Sequence, residues 1–333
     1  MTCFMSQFQY TRKYRKVKTT ISILIPAYNA EKTIKRTLDS ILNQTLLPFE
    51  IVIVNDGSTD KTQDILNKYK NNKLFKIINQ SNAGVAISRQ VLIENSNGEY
   101  LLFCDADDYY ERNTIETIEH ILEREKVDLL VFGYTLLKKN CTKSITKRKL
   151  SEGLYSKKEY KKYHIKGLTD LYYSSLCNKC LKRKLINKYP SLHFQHTMED
   201  VIFNVEYMNR VESIYVTEKD LYVHDQRADS LTRGNKSDSI QNIEDAFSTY
   251  QYLYKVLKIT YPDMIVEDKQ YMYRMLLNLC ERATKMDSRE TYLKIKHSSI
   301  FTEIEMNLGY KRYYAISKVI INKCKQNIKK IVS

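Results

Sequence analysis

Between residues 20 and 132 the chain alternates short apolar runs with amphipathic stretches, and this rhythm restricts the fold more than any other feature. The run "ISILIPAYN" (21–29) reads as a buried strand that stops at Pro26. "EKTIKRTLDSILNQT" (31–45) then sets Ile34, Leu38, Ile41 and Leu42 at helical spacing. A second strand, "FEIVIVNDGSTD" (49–60), runs out into a polar loop before a helix at "KTQDILNKYK" (61–70). The order repeats: a strand at "LFKIINQ" (74–80), a helix at "GVAISRQVLIENS" (84–96), and a strand at "GEYLLFCDADD" (98–108). A helix over 113–124 and a strand at "VDLLVFGY" (127–134) complete the series. Such alternation predicts an α/β fold, a mostly parallel sheet flanked by helices. Ligands of such sheets bind beyond the carboxyl ends of the strands. Tyr28-Asn29, Asn55-Asp56-Gly57 and Asp105-Ala106-Asp107 all fall at such ends and are expected to face one crevice.

The rest is less regular. Residues 135–170 are polar and lysine-rich and read as a connecting, partly helical region. "SSLCNKCLKRKLI" (174–186) and "MEDVIFNVEYMNRV" (198–211) read as helices, and "SIYVTEKDLYVHD" (213–225) as a strand or hairpin. From 237 onward the pattern predicts a largely helical C-terminal region. The expected organisation is a basic N-terminal extension (1–19), an α/β domain (20–235) with halves meeting near 132, and the helical region (236–333).

With 43% hydrophobic and 28% charged residues, the chain is expected to be folded and soluble. Its net charge of +15 is not spread evenly: residues 309–333 hold seven Lys or Arg and no acid. Ile316, Val319, Ile320, Cys324 and Ile328 recur there at near-helical spacing, which suits either an anionic membrane surface or packing on the helical region. No nucleic-acid partner is expected, because no base-reading module accompanies the charge. Seven scattered cysteines without an apolar leader point to a cytoplasmic location. No run reaches the roughly 18 apolar residues of a spanning helix.

A D-x-D pair on a turn after a strand, here Asp105 and Asp107, can hold a hard divalent ion through oxygens, with water and substrate phosphates completing the shell. A capping turn is the alternative. Asp56 stands just past a strand, where it can accept from the imide of a uracil or merely belong to an Asx turn. Gly84 opens a helix whose exposed amides favour phosphate. Arg89 lies one turn further in, as part of that site or as a surface ion-pair partner.

Taken together, "SILIPAYNAEKTIKRTLDSILNQTLLPFEIVIVNDGSTDKT", "NAGVAISRQ" and "GEYLLFCDADD" resemble the family 2 glycosyltransferases, with their GT-A fold, closely over 20–132. A looser similarity, of the kind seen in bacterial members that assemble capsule, exopolysaccharide or O-antigen, continues through "SLCNKCLKRKLI", "MEDVIFNVEYM" and "YVHDQRADSLTR". The resemblance implies that 20–132 binds a nucleotide sugar and 133–235 serves the acceptor. It implies transfer of a sugar, with inversion, from a UDP-sugar to an acceptor hydroxyl. Matched by motif, Ala27, Tyr28, Glu31 and Asp56 would contact the nucleoside, and Asn82, Gly84 and Arg89 would line the diphosphate and base. Asp105 would sit near ribose and metal, Asp107 would be the principal ligand of Mn2+ or Mg2+, and His224 is a candidate to complete the shell. Arg227 or Arg233 would clamp the diphosphate. In the pair Glu199-Asp200, Asp200 matches the residue that takes the acceptor proton. A helix start, with Thr197 as its N-cap, favours that ionised form, although first-turn acids also suit a helix dipole without any chemistry.

Cys177 and Cys180 form C-x-x-C, but no second such pair exists to complete a zinc site, and both read as packing residues. Cys177 stands where the family typically has Trp, so that aromatic surface is missing. The implied acceptor is a lipid-linked oligosaccharide at the inner membrane face, the sugar a hexose or N-acetylhexosamine such as Gal or GlcNAc, and a homo-oligomer is left open. Two rivals remain. A sugar nucleotidyltransferase needs a Gly- and Arg-rich loop after the first strand, which "IPAYNAEKT" lacks. A non-catalytic scaffold that binds nucleotide sugar would not need the acids at 105, 107, 199 and 200.

Overall fold

The computed structural model describes residues 19–307 apart from 139, 141, 146–149, 169, 187–197, 227–238 and 264–265. Four parallel strands, β1 (Ile21–Ala27), β2 (Glu50–Asp56), β3 (Phe75–Gln80) and β4 (Tyr100–Phe103), lie in the order β3-β2-β1-β4. Parallel neighbours require crossovers, supplied here by α1 (Ile34–Leu42), α2 (Thr62–Asn67) and α3 (Val85–Glu94). Helices cover both faces, so the central strands read as continuous apolar runs. Every residue of β1 is buried except Pro26, whereas edge strand β3 is only partly buried. The chain steps from β1 to one side, then returns to its other side as β4. That reversal creates a switch point at the carboxyl ends of β1 and β4.

The second half of the sheet mixes directions. A short β5 (Tyr109–Tyr110) and α4 (Thr114–Glu125) lead to β6 (Leu129–Leu137), which carries the antiparallel β7 (Lys143–Ile145). After β8 (Gly153–Ser156) comes α5 (Lys157–Lys166), begun by a capping box between Ser156 and Glu159. The lysine-rich 135–170 region is thus partly helical, as expected, but it also adds two short strands.

Residues 174–186 overturn the helical expectation. They follow a four-residue α6 (Leu171–Ser174) and form β9 (Lys179–Lys182), antiparallel between β4 and β6, with a 3-10 turn at Arg183–Leu185. The apolar spacing of Leu176, Cys180 and Leu181 fits a helix equally well. Only the open place in the sheet decides for a strand. Next, α7 (Glu199–Met208) leads to β10 (Ser213–Asp225), a single strand parallel to β6 with register shifts between Val216 and Tyr222. β10 also pairs antiparallel with β5 and β8.

The described C-terminal residues are helical, as predicted: α8 (Ile240–Thr260), α9 (Val266–Lys285), α10 (Arg289–Lys296) and α11 (Ser299–Asn307). α8 packs on both α7 and α9. Its Tyr252 hydroxyl donates to Glu206 at 2.5 Å, and its Thr260 hydroxyl to the Val205 carbonyl at 3.2 Å. Leu253, Leu276 and Phe301 join the same core as the sheet. Among the described residues no helix is long and apolar enough to cross a membrane. The basic segment 309–333 lies outside the described residues, as do 1–18.

Candidate active site

Two elements that flank the turn after β4 hold it in shape. Thr37 of α1 is buried, and its hydroxyl is placed to donate to the carbonyls of Ala106 (3.0 Å) and Asp108 (2.7 Å). Arg36 donates through Nη2 to the Asp107 carbonyl at 2.6 Å and pairs through Nη1 with the buried Asp225 of β10 at 2.6 Å. Asp108 is buried beneath the turn. It accepts from the Tyr222 hydroxyl (2.5 Å), His224 Nδ1 (2.9 Å) and the Asp225 amide (2.8 Å). With Nδ1 committed to a carboxylate, Nε2 is the ring nitrogen His224 has left for a ligand. Burial lowers the His224 pKa, but the Asp108 hydrogen bond and the charges of Asp108, Asp105 and Asp107 outweigh it, so the net shift is upward.

Anchored in this way, the turn crowds its acids together. Burial, then Asp108 and Asp105, push Asp107 up to about 7. Crowded carboxylates of this kind suit a divalent cation, which would relieve their repulsion. Among the described residues no group of three His, Cys, Asp or Glu side chains is arranged to hold a metal ion unaided. A two-carboxylate site completed by water and phosphate oxygens matches that arrangement and is the usual form for Mg2+. The residues that would hold the group are Asp107 and Asp105; His224 does not complete a three-ligand set with them among the described residues.

The loops after β1, β2 and β3 are stitched to one another. The Asn29 amide donates to Ser58 Oγ (3.0 Å), and Asn29 Oδ1 accepts from the Thr59 amide (2.8 Å). Glu31 Oε2 accepts from the Lys61 amide, and the Glu31 amide donates to Asp60, each at 3.0 Å. Ala27 is buried at the end of β1, with Tyr28 half-buried after it. Asn55 Oδ1 accepts from the Ser58 hydroxyl at 2.5 Å, the local turn that the sequence offered as an alternative.

Asp56 itself reaches across to the next loop. Its Oδ1 accepts from Gln80 Nε2 (2.7 Å) and the Ala83 amide (2.8 Å), and its Oδ2 from the Gly84 amide (2.9 Å). A carboxylate has about four acceptor positions, so one remains for an imide N–H. These bonds engage the two amides that precede the helix, those of Ala83 and Gly84. Gly84 has φ of 89°, a left-handed conformation that suits glycine, and both amides donate to Asp56. The loop also passes close under Gly57, where a Cβ would lie 2.6 Å from the Asn82 amide nitrogen.

Arg89 is neither a surface residue nor confined to the donor loops. It is buried on α3, and its Nη1 pairs with Asp200 and, at 3.4 Å, with Glu199, while its Nη2 lies 3.6 Å from Asp105. One guanidinium thus joins the turn after β4 to the acids at the start of α7. Burial raises Asp200 to about 7 even though Arg89 opposes the shift. The cap of α7 is Met198 in a left-handed conformation; Thr197, Arg227 and Arg233 lie outside the described residues. Cys177 and Cys180 are buried free thiols, as packing residues are. The sequence reading missed Arg36, Thr37, Asp108 and Tyr222 as parts of the site. Asp108 alone carried a signal, as a third acid in the turn.

A family model described as "Glycosyl transferase family 2" matches residues 22–189, half of the chain. The chain belongs to glycosyl transferase family 2. Among curated relatives, it is 39% identical over 118 residues to WfaP of Escherichia coli, a UDP-Glc:α-D-GlcNAc-diphosphoundecaprenol β-1,3-glucosyltransferase. That match covers 35% of this chain and 47% of WfaP, less than half of the relative's own length. It is 26% identical over 244 residues to TarP of Staphylococcus aureus, a poly(ribitol-phosphate) β-N-acetylglucosaminyltransferase, covering 71% of this chain and 72% of TarP. The structure of S. aureus TarS residues 1–349 in complex with UDP-GlcNAc superposes with a TM-score of 0.58 at 18% identity, covering 88% of this chain and 93% of that one. The fold is thus the GT-A fold, extended by helices at its C-terminal side.

Proposed function

We propose that this family 2 protein is an inverting glycosyltransferase of bacterial surface polysaccharide synthesis. It would move a hexose or N-acetylhexosamine from a UDP-sugar to a hydroxyl of a lipid-linked oligosaccharide. One observation carries the reading: Arg89 joins the Asp105 turn to the Glu199-Asp200 pair. A donor held at the turn therefore lies beside a carboxylate poised to accept a proton. UDP as the nucleotide is supported by the TarS complex and by the name of WfaP, whose acceptor is a diphosphoundecaprenol-linked sugar. GlcNAc is the sugar named for TarP and held by TarS; Gal is the second candidate.

Asp200 takes the acceptor proton as the hydroxyl oxygen attacks the anomeric carbon. The bond from that carbon to the diphosphate oxygen breaks with its electron pair leaving on UDP. Attack from the opposite face inverts the configuration. A carboxylate whose pKa lies near 7 combines ionisation at working pH with useful basicity. Glu199 shares Arg89 and fixes where that guanidinium lies. Asp107 and Asp105 would hold Mn2+ or Mg2+, which supplies Lewis-acid neutralisation of diphosphate charge. Asp56 offers its remaining acceptor position to the uracil imide, and Tyr28 and Ala27 border the same loops. The membrane-side acceptor gives the basic 309–333 segment a role at the inner membrane surface.

The test is UDP release by purified protein across a panel of UDP-sugars with Mn2+, Mg2+ or EDTA, beside Asp200→Asn. Release from one donor, lost with EDTA and reduced about 100-fold or more by the variant while UDP still binds, is the expected result. UDP-sugar binding without release, even with lipid-linked acceptor, would favour the scaffold reading.

A further inference from the structure

Lys179 is a cation in the middle of the sheet. It lies on β9 between β4 and β6 and is 1% exposed. Its three ammonium hydrogens match three acceptors: the Tyr172 carbonyl (3.1 Å), the Ser175 carbonyl (2.5 Å) and Asn178 Oδ1 (3.0 Å). Asn178 is itself oriented by donating Nδ2 to the carbonyls of Phe132 (3.1 Å) and Tyr172 (2.9 Å). An apolar side chain would fill this place without the desolvation of a charge, so packing alone does not account for a lysine.

The carbonyls that Lys179 binds belong to α6 and the residue after it, where a helix leaves its acceptors unsatisfied. They are also where α7 is attached. Asn204 lies one turn after Asp200 and donates Nδ2 to the Ser174 carbonyl at 2.6 Å and the Ser175 carbonyl at 3.4 Å. Lys179 and Asn204 therefore share the Ser175 oxygen, one from the sheet and one from the helix that carries the acid pair.

We propose that Lys179 is a positioning residue for Asp200: it locks the end of α6 on which α7 is seated through Asn204, and its ammonium supplies a second positive charge, behind the acid pair, to match Arg89. The inference rests on the reading of Asp200 as the base. Asp200 faces Arg89 from α3, Glu199 from its own helix, Asp105 from the turn after β4 and Lys179 from β9. Lys179 faces Asp200, Cys177 and Asp170, with His164 of α5 nearby. Burial raises the Cys177 thiol well above its ordinary value; burial and then Lys179 push His164 down to about 3, so both stay neutral. Burial also lowers Lys179 to about 7, and Asp200 works against that shift.

Two measurements on the full chain test this. In the first, UDP release from UDP-GlcNAc is followed against pH for the wild type and Lys179→Met. Losing the charge behind Asp200 raises the pH at which the base ionises, so the acid limb moves up by about one unit, a roughly tenfold loss at pH 6 that disappears at pH 9. A loss equal at every pH, or an unchanged profile, overturns the proposal. The second measurement needs no turnover. In lysine-labelled protein, the Lys179 side chain, expected to titrate far below the ordinary lysine value of about 10.4 because burial lowers it, is assigned by comparison with Lys179→Arg and followed by NMR with and without Asp200→Asn. Coupling is reciprocal, so this pKa is expected to fall by about one unit, and an unmoved titration overturns the proposal. Asp200→Asn that still releases UDP would instead remove the base assignment while leaving the coupling measurement to stand or fall by itself.

Discussion

Replacing Arg89 by Met removes a cation that touches three acids at once, and its cost should depend on pH in a particular direction. Met fills much of the same buried volume, so the loss is mainly electrostatic. Removing one partner of a buried ion pair typically costs about 3–5 kcal/mol. The lower end applies, because the side chains of Glu199 and Asp200 are 21% and 25% exposed; about 3 kcal/mol is expected at pH 8. The sign follows from Asp200. Its folded pKa of about 7 lies above its unfolded value, so the folded state holds this proton more tightly and stability falls as pH rises from about 4 to about 7. Without Arg89 the folded pKa rises further, and the penalty at high pH grows. At pH 5 Asp200 is already neutral in both proteins, and the deficit shrinks to about 1–1.5 kcal/mol. Urea unfolding at pH 5 and pH 8 measures both values. A deficit that is equal at the two pH values, or larger at pH 5, would refute the reasoning and remove Arg89 as the partner of an ionised Asp200.

Three further outcomes are expected. Thr37→Val leaves the Ala106 and Asp108 carbonyls without their buried hydroxyl donor; it should cost about 1–2 kcal/mol and weaken Mn2+ binding about tenfold or more by calorimetry. Unchanged Mn2+ affinity would show that the turn does not need this clamp. Gly57→Ala forces a side chain into φ of 69° and against the Asn82 backbone at 2.6 Å, costing about 2 kcal/mol or more in denaturant titrations. Mn2+ at a hundred times its Kd should stabilise the wild type by about 2.7 kcal/mol, reversibly with EDTA. Asp107→Ala should abolish that shift, and a retained shift would place the ion elsewhere.

Where structure follows from local pattern, the sequence was readable. The parallel half announced itself because its inner strands are buried on both faces and alternate with helices. The acids at 56, 105 and 107 were found because strand ends expose polar residues in an otherwise apolar series. The β9 segment was misread because its Leu and Cys spacing satisfies both periods, and only pairing with β4 and β6 separates them. Arg36 and Thr37 gave no signal, since an arginine and a threonine on an amphipathic helix are ordinary. Their role comes from bonds to carbonyls about 70 residues away in the chain. Asp56 shows a third case: the residue was legible, but its internal bonds to residues 83 and 84, in the loop after the next strand, depend on tertiary structure.

The arrangement also accounts for acidic clustering in a chain of net charge +15. The acids form two sets with separate supports. Asp105, Asp107 and Asp108 are fixed by α1 and β10; Glu199 and Asp200 are fixed by α3 and, behind them, by β9 through the α6 carbonyls. Arg89 bridges the sets directly. If the described cations matched every acid, a diphosphate would meet a neutral site and gain little from entering. Instead, three carboxylates crowd one turn, and Asp107 is driven toward protonation by its neighbours. A divalent ion at the proposed site would relieve this imbalance, since its two charges would offset the Asp105 and Asp107 carboxylates and its open positions would accept phosphate oxygens. By the same logic Arg89 should be sensitive to donor occupancy. If Asp105 were held by an ion at the proposed site, the guanidinium would be left to Glu199 and Asp200, and its charge would favour the ionised form of Asp200, the proposed base.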